Sequence, residues 1–291
     1  MLITLKNADL SLTVDTLGAQ MMDLRTADGT PYLWQGDPRY WADRAPTLFP
    51  FIARLTGGTY RYLGKTYAMG IHGFAAASPF TVVSQQEDQV RLELRDNPET
   101  LAQYPFAFTL SITYRLEGAS AVICYCLVNR SSRTMPFAIG GHPGFRVPLE
   151  PGEDFEDYYL EFSQPCQPDR VGFTPEIFLS GMDLPYPLRD NRWLDLRHSL
   201  FDEDAIILKN MARQITLRSR KSRRTVTVTY PDMPYLGLWH MPRTDAPYLC
   251  IEPWSSLPSR QDIVEEISCK SDMLQLPPDG QWHSDWSISL T

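Results

Sequence analysis

Apolar and polar residues alternate with a period of two along much of the chain. Leu10, Leu12 and Val14 alternate with Ser11 and Thr13. Leu92 and Leu94 alternate with Arg91, Glu93 and Arg95, and the run from Thr225 to Tyr230 alternates Thr with Val. Successive side chains of a strand point to opposite faces, so these runs predict half-buried β-strands. Gly57-Gly58 and Leu63-Gly64-Lys65 cut the intervening region into short pieces, predicting a hairpin of Thr59–Tyr62 with Thr66–Met69. Helical signals are few. Asn97 as N-cap and Pro98 in the first turn predict one short helix that ends by Pro105. Strands do not alternate with helices of ~12 residues, which disfavours a parallel α/β sheet. Turn residues recurring every ~8–12 positions predict an all-β fold, a large antiparallel β-sandwich or a barrel.

Length and composition narrow this picture without changing it. The 291 residues, 43% hydrophobic, suffice for a large core, and all-β folds reach this size as one unit. The 24 prolines and 17 glycines are scattered as turn punctuation, and no linker or repeat is legible. Residues 1–291 therefore read as a single domain. The stretch Pro148–Asp169, rich in Pro, Asp and Glu, reads as a surface excursion and a candidate lid.

A net charge of −8 argues against a nucleic-acid partner, which needs concentrated positive charge. The one basic cluster, Arg218–Arg224, holds five cations in seven residues and reads as a solvated hairpin turn or, alternatively, a phosphate contact. Five cysteines, odd in number and without a CxxC pair, read as reduced thiols. Cys124 and Cys126 would share one strand face, a poor geometry for pairing. With no signal peptide at the N-terminus, this predicts a cytoplasmic protein. No apolar run approaches the ~18 residues of a membrane span.

Several familiar chemistries have no sequence support. There is no GxGxxG after a strand, no Walker A loop, no HExxH, no GxSxG, and no close Cys/His set of metal-ligand spacing. What remains is a handful of polar residues in unusual company. His142 follows an alternating run (Met135, Phe137, Ile139) and sits in Gly140-Gly141-His142-Pro143-Gly144. Glycines let the backbone approach something closely, and a histidine at a strand end is placed either to support the core or to meet a ligand. Glu252 ends an apolar strand in which Leu249 and Ile251 face one side and Tyr248, Cys250 and Glu252 the other, with Pro253 expected to end the pairing. A carboxylate there is costly to bury unless paired or useful. His72 stands among glycines in Gly70-Ile71-His72-Gly73, and Arg54 follows a largely apolar run, so each must find acceptors. Asp204 follows an acidic cluster at the start of a strand, and taken alone reads as well as a solvated turn. His198, His240 and His283 have no distinguishing context. Phe74, Phe145, Trp239 and Trp254 lie beside the polar candidates, as sugar-stacking rings or as core.

Together these motifs resemble one family. Phe49-Pro50…Arg54-Leu55, Gly58…Tyr60, His72-Gly73-Phe74-Ala75, Gly141-His142-Pro143-Gly144-Phe145 and Ile251-Glu252-Pro253-Trp254 are similar, in order and spacing, to the aldose 1-epimerases, and in wording to their bacterial LacX-type branch. The resemblance implies a galactose mutarotase-like β-sandwich and a cofactor-free, metal-free isomerase acting on a small sugar. It also implies a cleft with Glu252 as base and His142 as acid, and with Arg54, His72 and Asp204 binding hydroxyls. Two alternatives stay open: a hexose-6-phosphate epimerase, which would need further cations over the cleft, and a sugar-binding protein without turnover.

Overall fold

The computed structural model describes residues 1–291 and is built almost wholly from antiparallel strands. Nine strands form the larger sheet, in the spatial order Trp193–Asp195, Tyr158–Phe162, Gln214–Ser219, Thr225–Thr229, Gln281–Leu290, Ser120–Asn129, Phe108–Glu117, Gln89–Arg95 and Thr81–Gln85. The inner strand Ser120–Asn129 shows why: Ala121, Ile123, Tyr125, Leu127 and Asn129 are buried while the residues between them are half-buried. Cys124 and Cys126 fall on that outward face, opposite Asp285 and His283 of the next strand, and remain free thiols.

A second sheet of eight strands carries the site. Its core is Ile206–Lys209, Tyr235–Trp239 and Tyr248–Trp254, and the short strands Gly140–Gly141 and Gly144–Arg146 both pair with the far flank of the last. The two sheets pack face to face. A Cβ on Gly141 would lie 2.6 Å from the Trp286 ring of the larger sheet, so this glycine is required by packing rather than by a ligand. One cluster of 74 buried residues, from Ile3 to Leu290, fills the space between the sheets and under the flanking three-stranded sheet.

Several expectations need correction. Pro253 does not end its strand, which runs on to Trp254. Ile251 and Ser255 donate backbone hydrogen bonds to Pro143 and Ile139 on one flank, and Pro253 faces the same way by the period of two. Its missing N–H therefore falls at the break between the two short strands, where proline costs least. The hairpin pairs Thr59–Tyr62 with Lys65–Ala68, one residue earlier than expected, because Leu63-Gly64 alone makes the turn with both φ positive (50° and 74°). Pro148–Asp169 is not a surface excursion. It contains strand Tyr158–Phe162 of the larger sheet, with Tyr158, Leu160 and Phe162 buried, and its buried Glu153 accepts from Tyr158 and Ser219. The helix is Pro98–Gln103, capped by Asn97 as the sequence predicts. No helix is long and apolar enough to cross a membrane.

Candidate functional site

A cleft of about 370 Å³ opens on the outer face of the second sheet, and Arg54, His72, His142, Asp204 and Glu252 all line it. Residues scattered over two hundred positions are thus brought together by the sheet. Glu252 sits in mid-sheet, 1% exposed, its register partner being Gly237 on the neighbouring strand. A Cβ at position 237 would lie 3.1 Å from the Glu252 Cβ, so the glycine leaves room for the carboxyl. His142 bridges the two short strands on the other flank, and its Nε2 lies 3.2 Å from Glu252 Oε2.

The electrostatics of this pair follow from burial. Desolvation, reinforced by the neighbouring His72, pushes the His142 imidazole well below its ordinary range. Desolvation also pushes the Glu252 carboxyl well above its own, the charge of Asp204 adding to it and Trp254 opposing. Both shifts favour uncharged groups, so the resting pair is a carboxylic acid beside a neutral imidazole, two groups sharing one proton. Beyond this mutual contact Glu252 Oε2 has no hydrogen-bond partner, and His142 Nδ1 has none in the chain.

His72 is fixed by the backbone. Its Nδ1 accepts from the Ala53 N–H at 3.1 Å, and its own N–H donates to the Ala53 carbonyl at 3.0 Å. Accepting at Nδ1 puts the ring proton on Nε2, which makes no hydrogen bond within the chain and is free to donate to a ligand. Burial, and secondarily the charge of Arg54, lower its pKa to about 4, so it is a neutral donor at pH 7. Both His72 and Ala53 hold positive φ (64° and 58°), a conformation the reciprocal bonds maintain. The Arg54 guanidinium is exposed and joins no ion pair or hydrogen bond. Asp204, also at positive φ (89°), is turned toward the cleft by a bond from the Ala205 N–H to its Oδ1.

Aromatic rings enclose the His142–Glu252 pair. Trp41 lies against His142 with ring centroids 4.9 Å apart, and Trp239 meets it edge-on at 5.7 Å. Trp239 and Trp254 line the cleft, whereas Phe74 and Phe145 belong to the core. Sequence reasoning missed Trp41, Asp43 and Gly237, none of which has a local pattern that marks it, and also the company of Cys250. Cys250, two residues before Glu252 on the same strand face, brings its sulfur within 4.8 Å of donor atoms of both His142 and Glu252. The remaining histidines lie elsewhere. His198 and His240 bond to one another at 3.1 Å against Phe155, and His283 is on the outer face of the larger sheet.

The basic cluster does not line the cleft, and four of its five cations are held by carboxylates. Arg218 pairs with Glu161 at 2.5 Å, Lys221 with Asp157 at 2.6 Å, Arg220 with Asp195, and Arg224 with Asp28 at 2.9 Å and with Glu150. It forms the turn between Gln214–Ser219 and Thr225–Thr229.

The chain compares closely with known proteins. The family model described as aldose 1-epimerase matches residues 1–265. The chromosomal protein LacX of Lactococcus lactis subsp. lactis is 38% identical over 286 residues, covering 96% of this chain and 95% of that one. A galactose mutarotase related enzyme from Lactobacillus acidophilus superposes with a TM-score of 0.95 at 31% identity, over 100% of this chain and 97% of that one. A galactose mutarotase-like protein from Lactobacillus casei gives 0.94 at 32% identity, each chain covered fully. A putative aldose 1-epimerase from Escherichia coli K12, 16% identical with a TM-score of 0.78 over 100% and 99% of the two chains, shares the fold. By sequence and by fold, this chain belongs to the aldose 1-epimerase family.

Proposed function

We propose that the protein is an aldose 1-epimerase that interconverts the α and β anomers of an unphosphorylated hexose, with Glu252 and His142 as the proton-transfer pair. The observation that carries this reading is the buried His142–Glu252 pair, 3.2 Å apart on the cleft floor. Anomer exchange breaks and remakes the bond between C1 and the ring oxygen. A base takes the proton from the C1 hydroxyl while an acid protonates the ring oxygen. These two oxygens share one carbon, so acid and base must themselves be neighbours. In the bound state the sugar's hydroxyls solvate the carboxylate, and the shared proton passes to His142. Glu252 then removes the hydroxyl proton as His142 protonates the ring oxygen. Rotation about C1–C2 presents the other face of the aldehyde, and closure returns both protons. His72 donates from Nε2 and Arg54 from its free guanidinium to sugar oxygens, Arg54 also steadying charge as it develops. Asp204 accepts from hydroxyls, and Trp41 and Trp239 offer apolar faces to the ring.

The lining favours a free sugar over a sugar phosphate. Arg54 is the one Lys or Arg around the cleft, and it is accompanied by Asp43, Asp204 and Glu252. A phosphate would meet a net negative surface there, and the Arg218–Arg224 cations do not line the cleft. The five free cysteines suit a reducing compartment such as the cytoplasm.

The test is the approach of freshly dissolved α-D-glucose and α-D-galactose to anomeric equilibrium by polarimetry, the uncatalysed drift subtracted. Acceleration that is lost in His142→Asn and Glu252→Gln is the expected result. Faster turnover of hexose 6-phosphates, or sugar binding with no acceleration, would overturn the proposal in favour of one of its two alternatives.

A further inference from the structure

We propose that His142, Cys250 and Glu252 form an inhibitory site for a thiophilic divalent cation of the Zn²⁺ class, bound in competition with the sugar. The inhibition rests on the acid/base reading above, while the binding does not.

Three features of the cleft floor point to a cation. The first is the donor set. A histidine nitrogen, a cysteine sulfur and a carboxylate oxygen are the ligand types that zinc takes, and here all three lie within 4.8 Å of one another. Tetrahedral donors on bonds of roughly 2.0–2.3 Å stand about 3.3–3.8 Å apart. The His142–Glu252 edge, at 3.2 Å, already has that length. The thiol, at most 4.8 Å from the other two donors, has no more than about 1–1.5 Å to close. The second is unmet demand. Apart from its 3.2 Å contact with His142 Nε2, Glu252 Oε2 is buried without a hydrogen-bond partner, on a residue 1% exposed, which is unusual for a polar atom in a folded interior. The third is access. Glu252 and His142 line the open cleft, and Cys250, on the same strand face as Glu252 by the period of two, closes the triangle from a fully buried position outside the lining. Three protein ligands with the fourth position open to the cleft match the arrangement of accessible zinc sites.

Binding is an exchange of protons for metal. The cation displaces the thiol proton and the single proton shared by His142 and Glu252, so two protons are released as three bonds form. No electron transfer is involved. Once ligated, the carboxylate has lost the lone pair with which it would remove the C1 hydroxyl proton, and the imidazole the nitrogen that carries the proton. Catalysis stops with the fold intact. Cys250 takes no part in the anomer exchange, so the metal response is separable from turnover by substitution.

The experiment uses metal-free full-length protein with Cys124→Ser and Cys126→Ser, which removes the half-exposed thiols near His283 and Asp285. Co²⁺ is added as a spectroscopic probe and Zn²⁺ as the inhibitor. The expected result is a thiolate-to-cobalt charge-transfer band in the near ultraviolet that is absent from Cys250→Ala. Zn²⁺ should inhibit mutarotation, with a half-inhibitory concentration that rises with sugar concentration. Cys250→Ala should raise that concentration by at least about tenfold and leave the metal-free rate within a factor of about two. Cys250→Ser, closer in volume, serves if the alanine variant does not fold. A missing band, a band that survives loss of Cys250, equal zinc sensitivity in both proteins, or activation by the metal would each overturn the proposal. A Cys250-dependent band in a protein with no mutarotase activity would support the site and sink the proposed function instead.

Discussion

Gly237 has no functional group, yet replacing it should cripple the cleft. In the ladder between Tyr235–Trp239 and Tyr248–Trp254 it is the residue directly across from Glu252. An added Cβ would stand 3.1 Å from the Glu252 Cβ, 3.3 Å from its carboxyl carbon and 3.4 Å from Ile207 Cδ1. Relaxed carbon–carbon contacts are about 3.5–4.0 Å, so the Glu252 side chain must move by a few tenths of an ångström. Its strand is paired to the neighbouring strands above and below this point, so the side chain gives way instead, and the carboxyl is pushed off its resting position, away from residue 237 and toward the His142 flank. Overpacking of this kind costs about 1–3 kcal/mol of stability. A misplacement of ~1 Å costs about 10²-fold in rate, so roughly a tenfold loss in kcat is expected for Gly237→Ala. KM should move little, because Arg54 and His72 hang from a different part of the chain. The assay is catalysed mutarotation by polarimetry beside a thermal melt of the same sample. A folded Gly237→Ala protein with an unchanged kcat would refute the idea that the carboxyl's position limits the chemistry.

Three further outcomes are expected. Glu252→Gln and His142→Asn should each lower kcat by ~10²–10⁴-fold while leaving the protein folded by circular dichroism, and retention of most of the rate by either would remove that residue from the chemistry. Arg54→Ala should raise KM for a free hexose about tenfold, the loss of one or two charge-assisted hydrogen bonds, with a smaller change in kcat measured in the same titration. The stability of the fold should fall with acid, because His72 has a folded pKa of about 4 against an unfolded 6.5. Between those values the unfolded chain binds a proton that the folded chain refuses. The contribution is therefore full above pH 6.5, declines as pH falls through the window, and levels off below pH 4. Its size is on the order of 3 kcal/mol. Denaturant melts at pH 7, 5.5 and 4.5 should show a shallower decline in His72→Gln, and an identical slope in the two proteins would contradict the neutral assignment.

Much of the architecture was legible along the chain because half-buried strands write their two faces as alternation. Strands such as Leu10–Asp15 and Gln89–Arg95 show it plainly. The Glu252 strand is buried on both faces, so it carries no such contrast, and the proline within it looks like a terminus in the sequence. In Pro148–Asp169 the acidic residues masked a genuine alternation at Tyr158, Leu160 and Phe162. The candidate cleft residues were legible singly, as polar groups among glycines or apolar runs. Their convergence was not, since His142 and Glu252 meet only across two strands. Gly237, Trp41 and Cys250 matter through what stands opposite them, and a linear chain does not record opposition. The resemblance of spaced motifs supplied the order that local chemistry lacked.

The two walls of the cleft are made differently. The proposed proton-transfer pair rides on the hydrogen-bonded sheet, braced from behind by Trp286 against Gly141. The outer lip, including Phe173 and Ile177, comes from connecting segments. Insertions and substitutions accumulate in such segments far more freely than in a packed sheet. A lineage built on this scaffold is therefore free to explore new sugars at the lip while inheriting its proton chemistry unaltered. Descendants should differ first in what they admit and last in what they do to it.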